Sequence, residues 1–175
     1  MRYAAIRNFD VTNGVGNGVS LFVQGCPFHC YGCFNPETWN YNLGKEWNKE
    51  AENSFLSLIN REYISRVSFL GGSPLCDRNV LDVLFLIKKI KINHPEKLIW
   101  VYTGYTWDQI VNKKINESVY DKARKEVLKH IDILVDGPFE YDKKNLLLAF
   151  RGSSNQRIID VQRSLESGKV VLWNE

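Results

Sequence analysis

Four stretches of the chain are apolar or nearly so, and each runs into a small or polar turn. VSLFVQ at 19–24 leads to Gly25, VSFL at 67–70 to Gly71-Gly72, LIWVY at 98–102 to Thr103-Gly104, and IDILV at 131–135 to Asp136-Gly137. Short runs rich in β-branched and aromatic residues, bounded by such turns, read as strands. Their continuity predicts burial on both faces. Between them the spacing changes to a helical one. After a cap expected at Asp77, Val80, Val83, Leu84 and Ile87 follow the i, i+3, i+4, i+7 rule, with Lys88, Lys89 and Lys91 toward solvent. Thr106 and Gln109 have capping-box spacing for a helix starting at Trp107, and 117–129 and 46–60 are further helical segments. Alternating strand and helix predict an α/β fold with a parallel sheet, open or curled into part of a barrel. Such sheets bind ligands at the carboxyl ends of their strands, where all four turns lie.

The 175 residues, 44% of them hydrophobic, suffice for one core, and neither a repeat nor a linker divides them, so residues 1–175 are expected to form a single domain. Twenty-three basic against 20 acidic residues give a net charge of +3, too weak a field to argue for a nucleic-acid or membrane surface. No apolar run approaches the roughly 20 residues of a membrane span, and no secretory pattern opens the sequence, which predicts a soluble, cytoplasmic protein.

The cysteines change the picture. Cys26, Cys30 and Cys33 fall within nine positions, GCPFHCYGC at 25–33, and Cys76 stands far off. Crowded thiols in a reducing compartment suggest metal rather than disulfides. Three thiolates satisfy three irons of a 4Fe-4S cluster and leave the fourth without a protein ligand, whereas electron-carrier clusters normally have four cysteines. The alternatives are a zinc site completed by His29, Cys76 or a distant histidine, or a cluster closed by Cys76. Either would make the chain a non-catalytic iron-sulfur or zinc protein.

The cysteine loop resembles the signature of the radical S-adenosylmethionine enzymes. Together with FDVTNG (9–14), LFVQGCPFHCYGCFNPETW (21–39), GGSPL (71–75), IWVYTGY (99–105), ILVDGPFE (133–140) and FRGSSNQR (150–157), the chain resembles the anaerobic ribonucleoside-triphosphate reductase activating proteins over nearly its whole length. The resemblance implies a parallel sheet curled into a partial (β/α) barrel of the radical S-adenosylmethionine type, and an oxidoreductase. Cys26, Cys30 and Cys33 would hold a 4Fe-4S cluster whose open iron binds S-adenosyl-L-methionine. Reductive cleavage would yield a 5'-deoxyadenosyl radical that takes a hydrogen atom from a glycine of the large reductase subunit. Reduced flavodoxin or a similar donor would supply the electron. The same chemistry on another glycyl-radical enzyme, or on a small molecule, is the alternative.

The remaining motifs carry two readings each. Gly71, Gly72, Ser73 and Pro74 resemble the segment that holds the methionine amino group, with Ser73 where relatives usually have an acid; alone, they make a turn. Where relatives tend to read NGPGxR this chain reads NGVGNG, so their basic residue becomes Gly18. Gly32 precedes the last cysteine, leaving Phe28, Tyr31 or Phe34 to wall the adenine or to fill core. Asp136 is a ribose or sulfonium contact, or a turn aspartate. Thr103-Gly104 is a nucleoside approach or a plain turn, and Arg151 and Gln156 lie beside the site or in a solvated loop.

Overall fold

A computed structural model describes residues 1–112 and 116–173. It contains one seven-stranded sheet and five α-helices. In chain order these are β1 (Arg2–Asp10), β2 (Gly18–Val23), β3 (Lys45–Glu46), α1 (Lys49–Ile59), β4 (Arg66–Gly71), α2 (Val80–Asn93), β5 (Leu98–Tyr102), α3 (Trp107–Val111), α4 (Val119–Leu128), β6 (Ile133–Asp136), β7 (Arg157–Asp160) and α5 (Val161–Ser167).

The sheet order is β3-β1-β2-β4-β5-β6-β7. Strands β2, β4, β5 and β6 pair in parallel, as their continuous apolar sequences predict. The expected parallel sheet is found at the centre, and one correction applies at the edges. The sheet is mixed, because β1 and β3 add antiparallel on one side and β7 on the other. It is open, ending at β3 and β7. Both additions are physically quiet in the sequence: β1 is mostly exposed or half-buried along RYAAIRNFD, and β7 has four residues.

The helices cover one face. Val19, Leu21, Val67, Phe69, Ile99, Val101, Leu134 and Ile159 pack there against Phe55 and Ile59 of α1, Val83, Ile87 and Ile90 of α2, Ile110 of α3 and Val127 of α4. Each strand's alternate residues point the other way. There, Trp100, Ile133, Val135 and Ile158 form a smaller core with Tyr102, Phe150 and Trp173. That second face is roofed by loops, which leave room for a cavity.

Helix boundaries follow local chemistry. Ser118 and Asp121 form a capping box that starts α4, and Thr106 and Gln109 form the one expected for α3. The 46–60 helix begins later, at Lys49, because the Asn48 side chain accepts from Ala51 N and Lys45–Glu46 is a strand. The expected Asp77 cap is not made: Asn79 occupies the cap position without a capping bond to the helix, while Asp77 pairs with Arg124. Among the described residues, no helix is long and apolar enough to cross a membrane.

Candidate functional site

The four parallel strands deliver their carboxyl ends to one cavity of about 600 Å³ on the helix-free face. Cys26 follows β2, Gly71 and Gly72 end β4, Thr103 and Gly104 follow β5, and Gly137 follows β6; all line it. Cys30 and Cys33 line the same wall. The backbone explains how nine residues turn three thiols one way. Gly25, His29 and Gly32 each immediately precede a cysteine, and all three have left-handed φ values of 95°, 45° and 71°. Glycine adopts that region without penalty, whereas His29 is held there, its ring 5.0 Å from that of Trp39.

The loop is clamped from behind. Gly25 N donates to Thr38 O (2.7 Å) and Cys26 N to Trp39 O (3.2 Å). Gln24 donates to Glu37 O and Asn40 O, while Asn79 ties Gln24 O to Ser73 O. Each thiol also meets backbone donors. Burial pushes the Cys26 thiol up, and N–H groups of Phe28 and His29 oppose that; for Cys30 burial is opposed by Phe139 N–H. Asn35 N lies 3.4 Å from Cys33 Sγ. Sulfurs with N–H donors and aromatic neighbours match what tunes an iron-sulfur cluster.

Other reactive groups lie elsewhere. Cys76 is buried beside Tyr41 and does not line the cavity. Among the described residues, no three His, Cys, Asp or Glu side chains are grouped to hold one metal ion. Three cysteines lining one cavity are a donor set that suits a 4Fe-4S cluster, one sulfur to an iron.

Of the residues singled out in the sequence, Cys26, Cys30, Cys33, Phe28, Gly71, Gly72 and Thr103 meet at the cavity, together with Arg151 and Gln156. Phe28 is wedged over Gly104, where a Cβ would fall 2.5 Å from its ring, and stands edge-on to Tyr105. Tyr31, Gly32, Ser73, Pro74 and Asp136 are placed outside the lining. Tyr31 is 79% exposed against Tyr141. Ser73 and Pro74 are buried behind the glycines. Asp136 is 1% exposed, and its carboxylate accepts from Arg157 Nε (3.0 Å), Arg157 Nη2 (2.5 Å) and Trp107 N (2.7 Å). These bonds join β6 to β7 and to the start of α3.

Sequence reasoning assigned nothing to Arg7, Trp39, Tyr102 or Phe139, which also line the cavity. Trp39 and Phe139 lie inside motifs already recognised; Arg7 lies on the strand that the apolar pattern misses. Trp39 Nε1, Tyr102 OH and Arg151 Nε are buried donors without partners among the described residues. Such groups are costly unless something else satisfies them. Gln156 folds the last wall inward: its Oε1 accepts from Gly152 N (2.9 Å) and Ser153 N (3.2 Å), and its Nε2 donates to Gly137 O (3.1 Å).

On the remaining wall Gly18 leaves room for a basic side chain from the next strand. Gly18 pairs with Arg66 across β2 and β4, and a Cβ at 18 would lie 2.5 Å from Arg66 Cζ. The guanidinium, fully buried, donates to Asp10 O (2.5 Å), Val15 O (3.2 Å), Asn13 O and Ser68 Oγ. Arg66 thus gathers the 10–18 loop from the neighbouring strand and places Thr12 and Asn13 on the cavity. Burial works against the Asp10 charge, but hydrogen bonds from Ser20, Asn13 and Thr12 outweigh it and bring this carboxyl down to about 2.

Comparison with known proteins gives this arrangement a setting. Residues 12–159 match the family described as 4Fe-4S single cluster domain. The chain is 40% identical over 158 residues to the anaerobic ribonucleoside-triphosphate reductase-activating protein of Salmonella typhi, covering 89% of this chain and 96% of that one. The protein of that name from Escherichia coli (strain K12) is 39% identical at the same coverage, and that of Enterobacteria phage T4 is 34% identical over 90% of this chain and 93% of the relative.

Proposed function

The chain belongs to the family of anaerobic ribonucleoside-triphosphate reductase-activating proteins with a 4Fe-4S single cluster domain, and from that premise we propose that it is a radical S-adenosylmethionine activase. Its protein substrate is the large subunit of an anaerobic ribonucleoside-triphosphate reductase. The observation that carries the reading is the loop in which three cysteines, each preceded by a left-handed residue, open on one cavity at the parallel-strand edge.

Cys26, Cys30 and Cys33 would hold a 4Fe-4S cluster and leave one iron open to S-adenosylmethionine. When bound and reduced by a flavodoxin-like donor, the cluster would supply the one electron that divides S-adenosylmethionine into methionine and a 5'-deoxyadenosyl radical, and that radical would take one hydrogen atom from a glycine of the reductase to leave 5'-deoxyadenosine and a glycyl radical. The backbone at Gly71 and Gly72 and the Thr103 turn border the space beside the cysteines that the cosubstrate needs. Phe28, Phe34 and Phe139 give this space apolar walls that keep water from a reactive carbon. Buried donors on Trp39, Tyr102 and Arg151 select a ligand rich in acceptors. Ser73 and Asp136 act behind the wall, holding the glycine turn and the β6 end.

The test is anaerobic incubation of the reconstituted, reduced protein with S-adenosylmethionine and the reductase. A glycyl radical doublet in the electron paramagnetic resonance spectrum is expected. A reductase that stays radical-free while the cosubstrate is consumed would contradict the assigned substrate.

A further inference from the structure

The segment between β6 and β7 closes on itself as a hairpin at the mouth of the cavity. Lys144 and Ser153 form an antiparallel bridge, Asn145 N donates to Gly152 O (3.2 Å), and Ser154 N donates to Lys143 O (2.9 Å). At the tip the Asn145 side chain accepts from Leu147 N (2.9 Å). The turn leaves Leu146 and Leu147 76% and 93% exposed, whereas Phe150 folds back on Trp100. Leucines standing that far into water are scattered singly on most surfaces, but these are not isolated. Tyr31 and Tyr141 meet at 5.0 Å, Lys144 Nζ lies 5.2 Å over Phe34, and both Phe34 and Leu146 line the cavity that holds the cysteines. The result is an apolar arc that runs from the hairpin tip to the cysteine loop.

We propose that this hairpin tip, with Leu147 as its outermost side chain, is the docking element for the reductase and seats in an apolar groove edged by carboxylates on that subunit. The inference rests on the function proposed above. Continuity selects the occupant: a polypeptide whose residue must reach the cavity has to cross this arc. Charge selects the groove, since Arg7, Lys144 and Arg151 stand at the mouth while Glu140 is taken up by Lys143 (2.7 Å). A turn closed by its own hydrogen bonds and presenting two adjacent leucines has the form of an anchor.

The experiment measures equilibrium binding of the iron-free full chain to the reductase large subunit, for wild type, Leu147→Asp and Leu147→Met. Leu147→Asp is expected to weaken binding about 10- to 100-fold, the equivalent of losing one fully buried leucine. Leu147→Met should bind as wild type does, and melting temperatures should agree, because the side chain supports nothing in the fold. Unchanged affinity in Leu147→Asp, or no binding by wild type, would overturn the docking role. So would sedimentation showing a wild-type dimer that Leu147→Asp dissolves without loss of reductase affinity, since the tip would then join two copies of this chain. Binding is read without iron or cosubstrate, so a wild type that docks through Leu147 yet forms no glycyl radical refutes the proposed function alone.

Discussion

A single methyl group at position 72 should damage the cysteine loop from a distance. Gly72 packs flat against the residue before Cys26: its N–H donates to Val23 O (2.9 Å), and Ser73 N donates to Gly25 O (2.8 Å). In Gly72→Ala the new Cβ would lie inside contact distance of Gly25 O, 2.9 Å from Gly25 C and 3.0 Å from Gly25 N. All three are backbone atoms, so no rotamer can give way, and the β4 end must move off the loop by several tenths of an ångström. Overpacking of this kind costs about 1–3 kcal/mol. In a chain of this length each kcal/mol lowers the melting temperature by about 2–4 °C, so a fall of about 2–12 °C is expected by circular dichroism. Because Gly25 carries the turn into Cys26, iron retained after anaerobic reconstitution should drop as well. A variant that melts with wild type and takes up the same iron would refute the claim that β4 sets the position of the loop.

Cys76→Ala should keep its iron, because that thiol lies behind the cavity, while Cys33→Ala should lose it; equal iron loss in both would restore Cys76 as a ligand. Asp136→Asn should lower stability by about 1–3 kcal/mol through the weakened Arg157 pair, measured by urea unfolding, with little change in S-adenosylmethionine affinity; a large affinity loss at unchanged stability would return Asp136 to the cosubstrate. The Asp10 carboxyl titrates near 2 when folded against 3.8 as its ordinary value. Its contribution is therefore full above about pH 4 and is lost as pH falls through 2. Asp10→Asn should flatten the acid limb of the stability profile between those values, and an unaltered limb would show that the carboxylate is not held by Ser20, Asn13 and Thr12.

Continuous apolar strands, helical spacing and the Thr106–Gln109 capping box were legible because each leaves a local signature: the parallel core, α3 and the amphipathic α4 follow directly from it. The sheet's edges were not. In β1 every residue before Asp10 is half-buried or exposed, and RYAAIRNFD lacks the apolar run that marks a central strand. The same is true of Lys45–Glu46, whose pairing with β1 is a tertiary choice. At the site, the cysteines and the glycine turn are close in sequence or repeat at strand ends, and their convergence could be anticipated. Arg66 could not: it sits at the start of an apolar strand and fills space vacated by a glycine 48 residues earlier. Asp136 shows the reverse. Its place at a strand's carboxyl end suits a ligand contact, and nothing local announces the Arg157 pair that antiparallel β7 brings to it.

The most direct test of the open iron is the electron paramagnetic resonance spectrum of the anaerobically reconstituted, dithionite-reduced protein, recorded with and without S-adenosylmethionine labelled with nitrogen-15 at its amino group. The account predicts a reduced 4Fe-4S signal that shifts on addition and acquires hyperfine coupling to the label. A cluster signal indifferent to the cosubstrate would contradict it.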